Sequence, residues 1–441
     1  MDRSSDRTLF YFFLGILIWA PLPLASNRLW SLSLLCGLVL LLSIFVLYKQ
    51  LHNFSLSTPL KKSLPVIGLI SLGNIWISLQ AIPAFNLSIS PTDSVHDAVW
   101  GWCLLATFCL TLQLVRSRSR ILFTGYILVG SALFQAVYGS LMTLTGYEFS
   151  FLIPKESYQG VSTGTFINRN SQAGYLVMCV SLGIGLMIST LKDDGSHNWR
   201  ERGRRWLTAL LSQKIVLRIA LLIIVAGLVM THPRMGNTSF FASLMIMGVL
   251  GLILSRKATR SMIILLSSLI ILDIFVVGTF FGVQEVADRL QKTSIEKESR
   301  DEVAKATINL MQPQLLTGTG AGTFYTAFPE YRTKDVGRGF YVNTHNDYLE
   351  FSSEFGLLGA APLALTLLLS LGAGLYAQYK RRDKLLRGIA FGASMSIIAM
   401  LIHATVDFNL QMPANALTFM VILAFAWIAV FKKTEKKKRK M

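Results

Sequence analysis

Apolar runs of about 18 to 24 residues, broken by short polar stretches, recur along the whole chain, and each is long enough to cross a bilayer core as a helix. Their spacing predicts twelve helical spans, near 8–25, 29–48, 64–83, 97–115, 121–145, 168–190, 213–231, 238–255, 261–281, 355–378, 388–408 and 414–431. The first is read as a span and not a cleaved signal peptide, because no small-residue cleavage site follows it and "PLPLASNRLW" turns straight into the next run. The expected fold class is an all-α polytopic membrane protein. Its organisation reads as nine spans with short loops over 1–281, one large, partly helical loop over 282–354, three more spans over 355–431 and a basic tail at 432–441.

Composition agrees with the pattern. Of 441 residues, 52% are hydrophobic and 15% charged, against about 25% charged in soluble domains. Charge then orients the chain. Half of the 42 Lys and Arg residues fall in five alternate connections, "RSRSR", "RERGRRW", "SRKATR", "KRRDK" and "KKTEKKKRK", and the N-terminus and the 49–62 loop on the same side add more. The positive-inside rule puts those connections and both termini in the cytoplasm, and the 282–354 loop on the opposite side of the membrane. The same clusters account for the net charge of +18. They flank spans and meet membrane lipids, so no nucleic-acid partner is expected. Cys36, Cys103, Cys109 and Cys179 all lie inside apolar runs and read as small core residues.

The large loop holds the polar chemistry. "VQEVADRLQKTSIEKESRDEVAKATINLMQ" has apolar residues at roughly helical spacing and predicts amphipathic helix. "PQLLTGTGAGTF" breaks it; with no strand before the glycines and no Lys-Ser/Thr after them, an irregular turn is expected in place of a nucleotide loop. In "YVNTHNDYLEF", Thr344 precedes Asp347 by three residues, the spacing of a capping box. That predicts a helix start with His345 in its first turn, where the positive helix end favours a neutral, proton-accepting imidazole. His345 is then either a base or a capping residue.

Two arginines add weight to the first alternative. Arg169 in "FINRNSQAGYL" stands at the outer mouth of the sixth span and Arg234 in "THPRMGNTSFF" in the tight turn between the seventh and eighth, both flanked by small or amide residues and not by acids. Arginine at membrane depth without an acidic partner is a functional candidate, and its planar fork suits phosphate oxygens. Secondary candidates are Asn170 beside Arg169, Asn346 beside His345, and Arg332 and Arg338 in "PEYRTKDVGRGF". Glu350 and Glu354, one turn apart, either orient His345, wall the acceptor side or are surface acids. His403 and Asp407, four apart in the eleventh span, share a helix face and either clamp that helix or serve the site. No Asp-x-Asp or similar pair stands in the outer loops to hold a metal, and no cofactor is expected.

Taken together, "GTFINRNSQAGYL", "RMGNTSFF", "GTGAGTFYTAFPEYR", "HNDYLEFSSEFGLLG" and "HATVDFNLQMPANAL" resemble the O-antigen ligase and polymerase superfamily of bacterial envelopes. The resemblance covers most of 160–425. It implies a GT-C-like, metal-independent glycosyltransferase that moves a glycan from undecaprenyl diphosphate to a hydroxyl acceptor in the periplasm. That acceptor is lipid A–core oligosaccharide in ligases and a lipid-linked repeat unit in polymerases. The family's loop histidine corresponds to His345 and its diphosphate-binding arginines to Arg169 and Arg234. A protein O-oligosaccharyltransferase and a lipid-linked glycan transporter are the rival readings. The transporter would be expected to carry mid-span charges and repeats.

Overall fold

The computed structural model describes residues 3–53, 56–191, 213–254, 267–268, 271, 300–333 and 341–433. Its long helices are Arg3–Trp19, Leu29–Asn53, Leu64–Gln80, Pro91–Leu114, Arg118–Thr145, Arg169–Ser189, Gln213–Met230, Arg234–Leu254, Asp347–Lys380, Lys384–His403 and Pro413–Phe431. Eight helices among the described residues are long and apolar enough to cross a membrane, with Leu64–Gln80 and Ile215–Met230 as shorter apolar ones. The chain is therefore a helical, multi-pass membrane protein. The expected span at 261–281 lies almost wholly outside the described residues, as does 282–299 of the large loop.

Packing follows from which helices are apolar all round. In helix Arg169–Ser189 every residue from Ser171 to Met187 is buried, the signature of a helix with no solvent or lipid face. It lies against Lys384–His403 at glycines. A Cβ on Gly185 would strike the Gly388 backbone, and one on Gly392 would lie 2.8 Å from Leu182 Cα. Small residues permit that close approach where no hydrophobic force draws helices together in lipid. Pro413–Phe431 completes the centre and is buried over most of its length. Cys36, Cys103 and Cys179 are buried and Cys109 half-buried, all as free thiols.

The two ends of the bundle differ. At the basic end, Arg118 pairs with Asp383 at 2.7 Å and Arg120 with Asp6 at 2.8 Å, and Lys432 Nζ donates to Arg116 O. The opposite, distal end carries a two-residue hairpin, Phe149–Ser150 against Ile153–Pro154, and a docked strap. Residues 315–324 run over helix Asp347–Lys380, with Thr319 N–H donating to Ser353 O and Gly320 N–H to Glu354 O. Ala321 N–H donates to Gln80 Oε1, and Gln80 Nε2 donates to Thr317 O at 2.7 Å. Gly318 and Gly356 sit at φ +74° and +60° where strap and helix touch, and a Cβ on either would strike the other segment's backbone. The glycine run is thus a close-packed turn. Gly356 also interrupts the long helix, so that 347–355 forms a cap to the membrane segment that follows.

Candidate functional site

Three of the helices that begin at the distal end bear on the site, and two of these begin with a cation. Asn168 caps helix Arg169–Ser189, accepting from Asn170 N–H at 2.7 Å, and Arg169 is its first residue. Arg234 likewise opens helix Arg234–Leu254 and is exposed, and so does not sit in a tight turn as its sequence context suggests. A cation at a helix N-terminus opposes the macrodipole, yet neither arginine has a carboxylate partner among the described residues. Arg169 stacks over Tyr158, 5.6 Å from the ring centroid. Tyr158 is held by its loop: Lys155 Nζ donates to Tyr158 O at 2.7 Å and Val161 O at 2.8 Å, and pairs with Glu148 at 2.9 Å. Burial pushes the Glu148 carboxyl up, but the hydrogen bonds from Lys155 and Gly160 N–H outweigh it and hold the group below its usual range. The two helix starts adjoin, since a Cβ on Gly236 would lie 2.8 Å from Ala173 Cβ.

The third helix start differs from its sequence reading. Asn346, not Thr344, is the cap, its side chain accepting from Tyr348 N–H at 3.0 Å and Leu349 N–H at 3.1 Å. His345 therefore precedes the helix and is not in its first turn. It adopts φ +56°, a left-handed conformation that costs a non-glycine residue free energy and collects at functional sites. Its ring meets Phe408 edge-on at 4.8 Å between centroids, and its Nδ1 lies 3.9 Å from Asp407 Oδ1. His403 ends its helix, so Asp407 stands in the following turn and not one turn up a shared helix face. The turn still brings His403 Nε2 within 3.6 Å of Asp407 Oδ2. One buried carboxylate thus lies between two imidazoles. Burial pushes the Asp407 carboxyl up, and the two rings more than offset this, leaving it below the ordinary carboxylate range.

Glu350 and Glu354 are buried, at 2% and 3% exposure. Glu350 accepts from Asn343 Nδ2 at 2.6 Å, Thr344 N–H at 2.8 Å and the Thr344 hydroxyl at 3.0 Å. It anchors the segment that presents His345. Glu354 accepts from Phe324 N–H at 2.9 Å, at the start of helix Phe324–Tyr331, and secures the strap. Asp347, which sequence reasoning treated only as a cap partner, is 1% exposed and accepts from Leu410 N–H at 3.1 Å through Oδ2. Its sequence signal was acid in the first turn of a membrane helix. Asn346 Nδ2 donates to Thr405 O, and Asn170 is half-buried beside Arg169. Arg332 is half-buried in the segment after Tyr331. Arg338 lies outside the described residues.

Side chains of the 404–412 connection join these parts. Asn415 Nδ2 donates to Ser171 O at 2.9 Å and to Asn409 Oδ1 at 3.1 Å, and Asp347 N–H donates to Ala404 O and Asp407 O. A chain of neighbours therefore runs from Arg169 through Ser171, Asn415 and Asn409 to Phe408 and His345. Buried polar atoms without a partner gather along it: Arg169 Nε, Ser171 Oγ, both amide atoms of Asn237, His345 Nδ1, Asp347 Oδ1, both His403 nitrogens, Asn409 Nδ2, Gln411 Nε2 and Asn415 Oδ1. Folded proteins satisfy nearly all such atoms. Among the described residues such atoms concentrate at this end of the bundle.

Residues 219–364 match the family model described as O-antigen ligase. The match takes in Arg234, His345, Glu350 and Glu354, leaves Arg169, His403 and Asp407 outside, and supports the O-antigen ligase and polymerase superfamily. No curated protein matches the chain.

Proposed function

We propose that this chain of the O-antigen ligase and polymerase superfamily is an inverting, metal-independent glycosyltransferase. It spans the bacterial inner membrane twelve times in a GT-C-like arrangement, with both termini cytoplasmic. It moves a glycan from undecaprenyl diphosphate to a hydroxyl of lipid A–core oligosaccharide at the periplasmic face. The observation that carries the reading is the pair of arginines at adjoining helix starts, each set against its helix dipole without a carboxylate among the described residues. Such a place is unfavourable until an anion arrives. Free N–H groups of two helix ends and two guanidinium forks then converge on it.

In this mechanism Arg169 and Arg234 bind the diphosphate and stabilise the charge that builds on it as the sugar C1–O bond breaks. His345 takes the proton of the acceptor hydroxyl as that oxygen attacks C1 from the opposite face, which inverts the anomeric centre. Asp407, 3.9 Å from His345 Nδ1, favours the tautomer protonated at Nδ1 and leaves Nε2 to accept the proton. His403 flanks Asp407 on the other side and Glu350 fixes the peptide that carries His345.

The test is a knockout examined for envelope glycans. Loss of a ligase leaves lipid A–core without long glycan while lipid-linked polymer accumulates. A strain that still attaches single repeats points to the polymerase of the same superfamily, and unaltered glycans overturn the proposal.

A further inference from the structure

A cavity of about 330 Å³ opens beside Asp347 among helices Leu64–Gln80, Pro91–Leu114, Asp347–Lys380 and Pro413–Phe431. Its walls are apolar, Leu104, Leu363, Phe419 and Leu423 among them. From Pro413 to Leu423 it follows one helix for ten residues, a depth of roughly 15 Å at about 1.5 Å per residue. Its volume lies in the range of small-ligand sites. The lining holds no lysine, arginine or histidine and includes two carboxyls, Asp97 and Asp347. A phosphate would find no cation there.

The mouth offers a matched pair of polar atoms. Asp347 Oδ1 is buried without a partner, while Oδ2 is occupied by Leu410 N–H. Gln411 Nε2, from the same lining, is also buried without a partner. One atom accepts and the other donates, the complement of a hydroxyl group, which does both. A mostly apolar shaft below such a mouth suits a hydrocarbon chain.

We propose that this cavity seats a single-chain lipid alcohol, its chain along helix Pro413–Phe431 and its hydroxyl between Asp347 and Gln411. This binding does not rest on the reading of the site given above.

The test uses the full chain in phosphatidylcholine nanodiscs, with a diazirine-bearing hexadecanol and the same chain as its phosphate monoester. Labelled peptides are quantified by mass spectrometry. The alcohol should label the 91–114 and 413–431 helices well above the phosphate. Ala416→Phe, which fills the shaft, should abolish that difference; if it does not accumulate folded, Leu363→Trp replaces it. In Asp347→Asn the Leu410 N–H retains the amide oxygen and turns the NH₂ group into the mouth beside Gln411 Nε2. Alcohol labelling should then fall about three- to tenfold, the worth of one hydrogen bond. Equal labelling by both probes, or labelling indifferent to both variants, means simple partition into lipid and overturns the proposal. Preference for the phosphate assigns the shaft to the donor lipid and overturns it equally. Labelling does not require transfer, so a His345→Ala enzyme that remained active would sink the reading of the site and leave this pocket standing.

Discussion

The helix starts at the distal end make opposite use of the same dipole. Helix Asp347–Lys380 opens with a side-chain cap at Asn346, acids at Asp347 and Glu350, and hydrogen bonds that hold Glu350 to Asn343 and Thr344. Helices Arg169–Ser189 and Arg234–Leu254 open with a cation. Where the chain must hold its own shape, local rules and tertiary contacts agree. Where they conflict and nothing on the chain compensates, a ligand is the missing partner.

The largest effect should come from His345→Ala, which should cut transfer by about a hundred- to ten-thousand-fold, the worth of a positioned base, in an assay with lipid-linked donor. Normal turnover would return His345 to a purely structural place before the helix. Arg169→Ala and Arg234→Ala should weaken donor binding as well as turnover, and lysine should restore each only in part, because it keeps the charge and loses the fork. The sharper form is Arg234→Glu. It should abolish donor binding, yet the unfolding temperature should hold or rise, since an acid at a helix start contributes about 0.3–1 kcal/mol. A clear fall in stability would mean that Arg234 is part of the scaffold.

Glu350→Ala belongs to the other region and should behave in the opposite way. It strands Asn343 and the Thr344 N–H, so stability should fall by about 1–3 kcal/mol and activity should fall with it. The smallest effect concerns pH. Asp407 is held below the ordinary range in the folded protein. Its ionised form therefore stabilises the fold above the unfolded value of about 3.9. That contribution is lost only as pH falls toward the lower folded value. The stability gap between the native enzyme and Asp407→Asn should persist down to about pH 4 and close below it; a gap that closes near neutrality would remove the histidines as its cause.

The contrast also explains what the sequence made legible. Apolar runs mark the helices because a bilayer permits little else, and Arg169 and Arg234 stand out as cations in an otherwise sparse context. The helix start near His345 was visible, but its cap lies two residues later than the Thr344 spacing suggests, because His345 takes a positive φ that no short motif encodes. The burial of Glu350 and Glu354 was not visible at all. It depends on a strap whose glycines meet Gly356 and Glu354 from some 35 residues away, and such docking leaves no periodic trace. Asp407 was paired correctly with His403 for a different reason, a turn and not a helix face.

The measurement that bears most directly on the division of labour is donor affinity, taken by titration of purified enzyme with undecaprenyl diphosphate glycan, for Arg169→Ala and His345→Ala side by side. A base acts on the acceptor's proton in the transition state, whereas the arginines meet the diphosphate in the ground state as well. The account predicts near-native donor affinity with lost turnover for His345→Ala, and weakened affinity for Arg169→Ala. Native donor affinity in Arg169→Ala, or loss of affinity in His345→Ala, would contradict it.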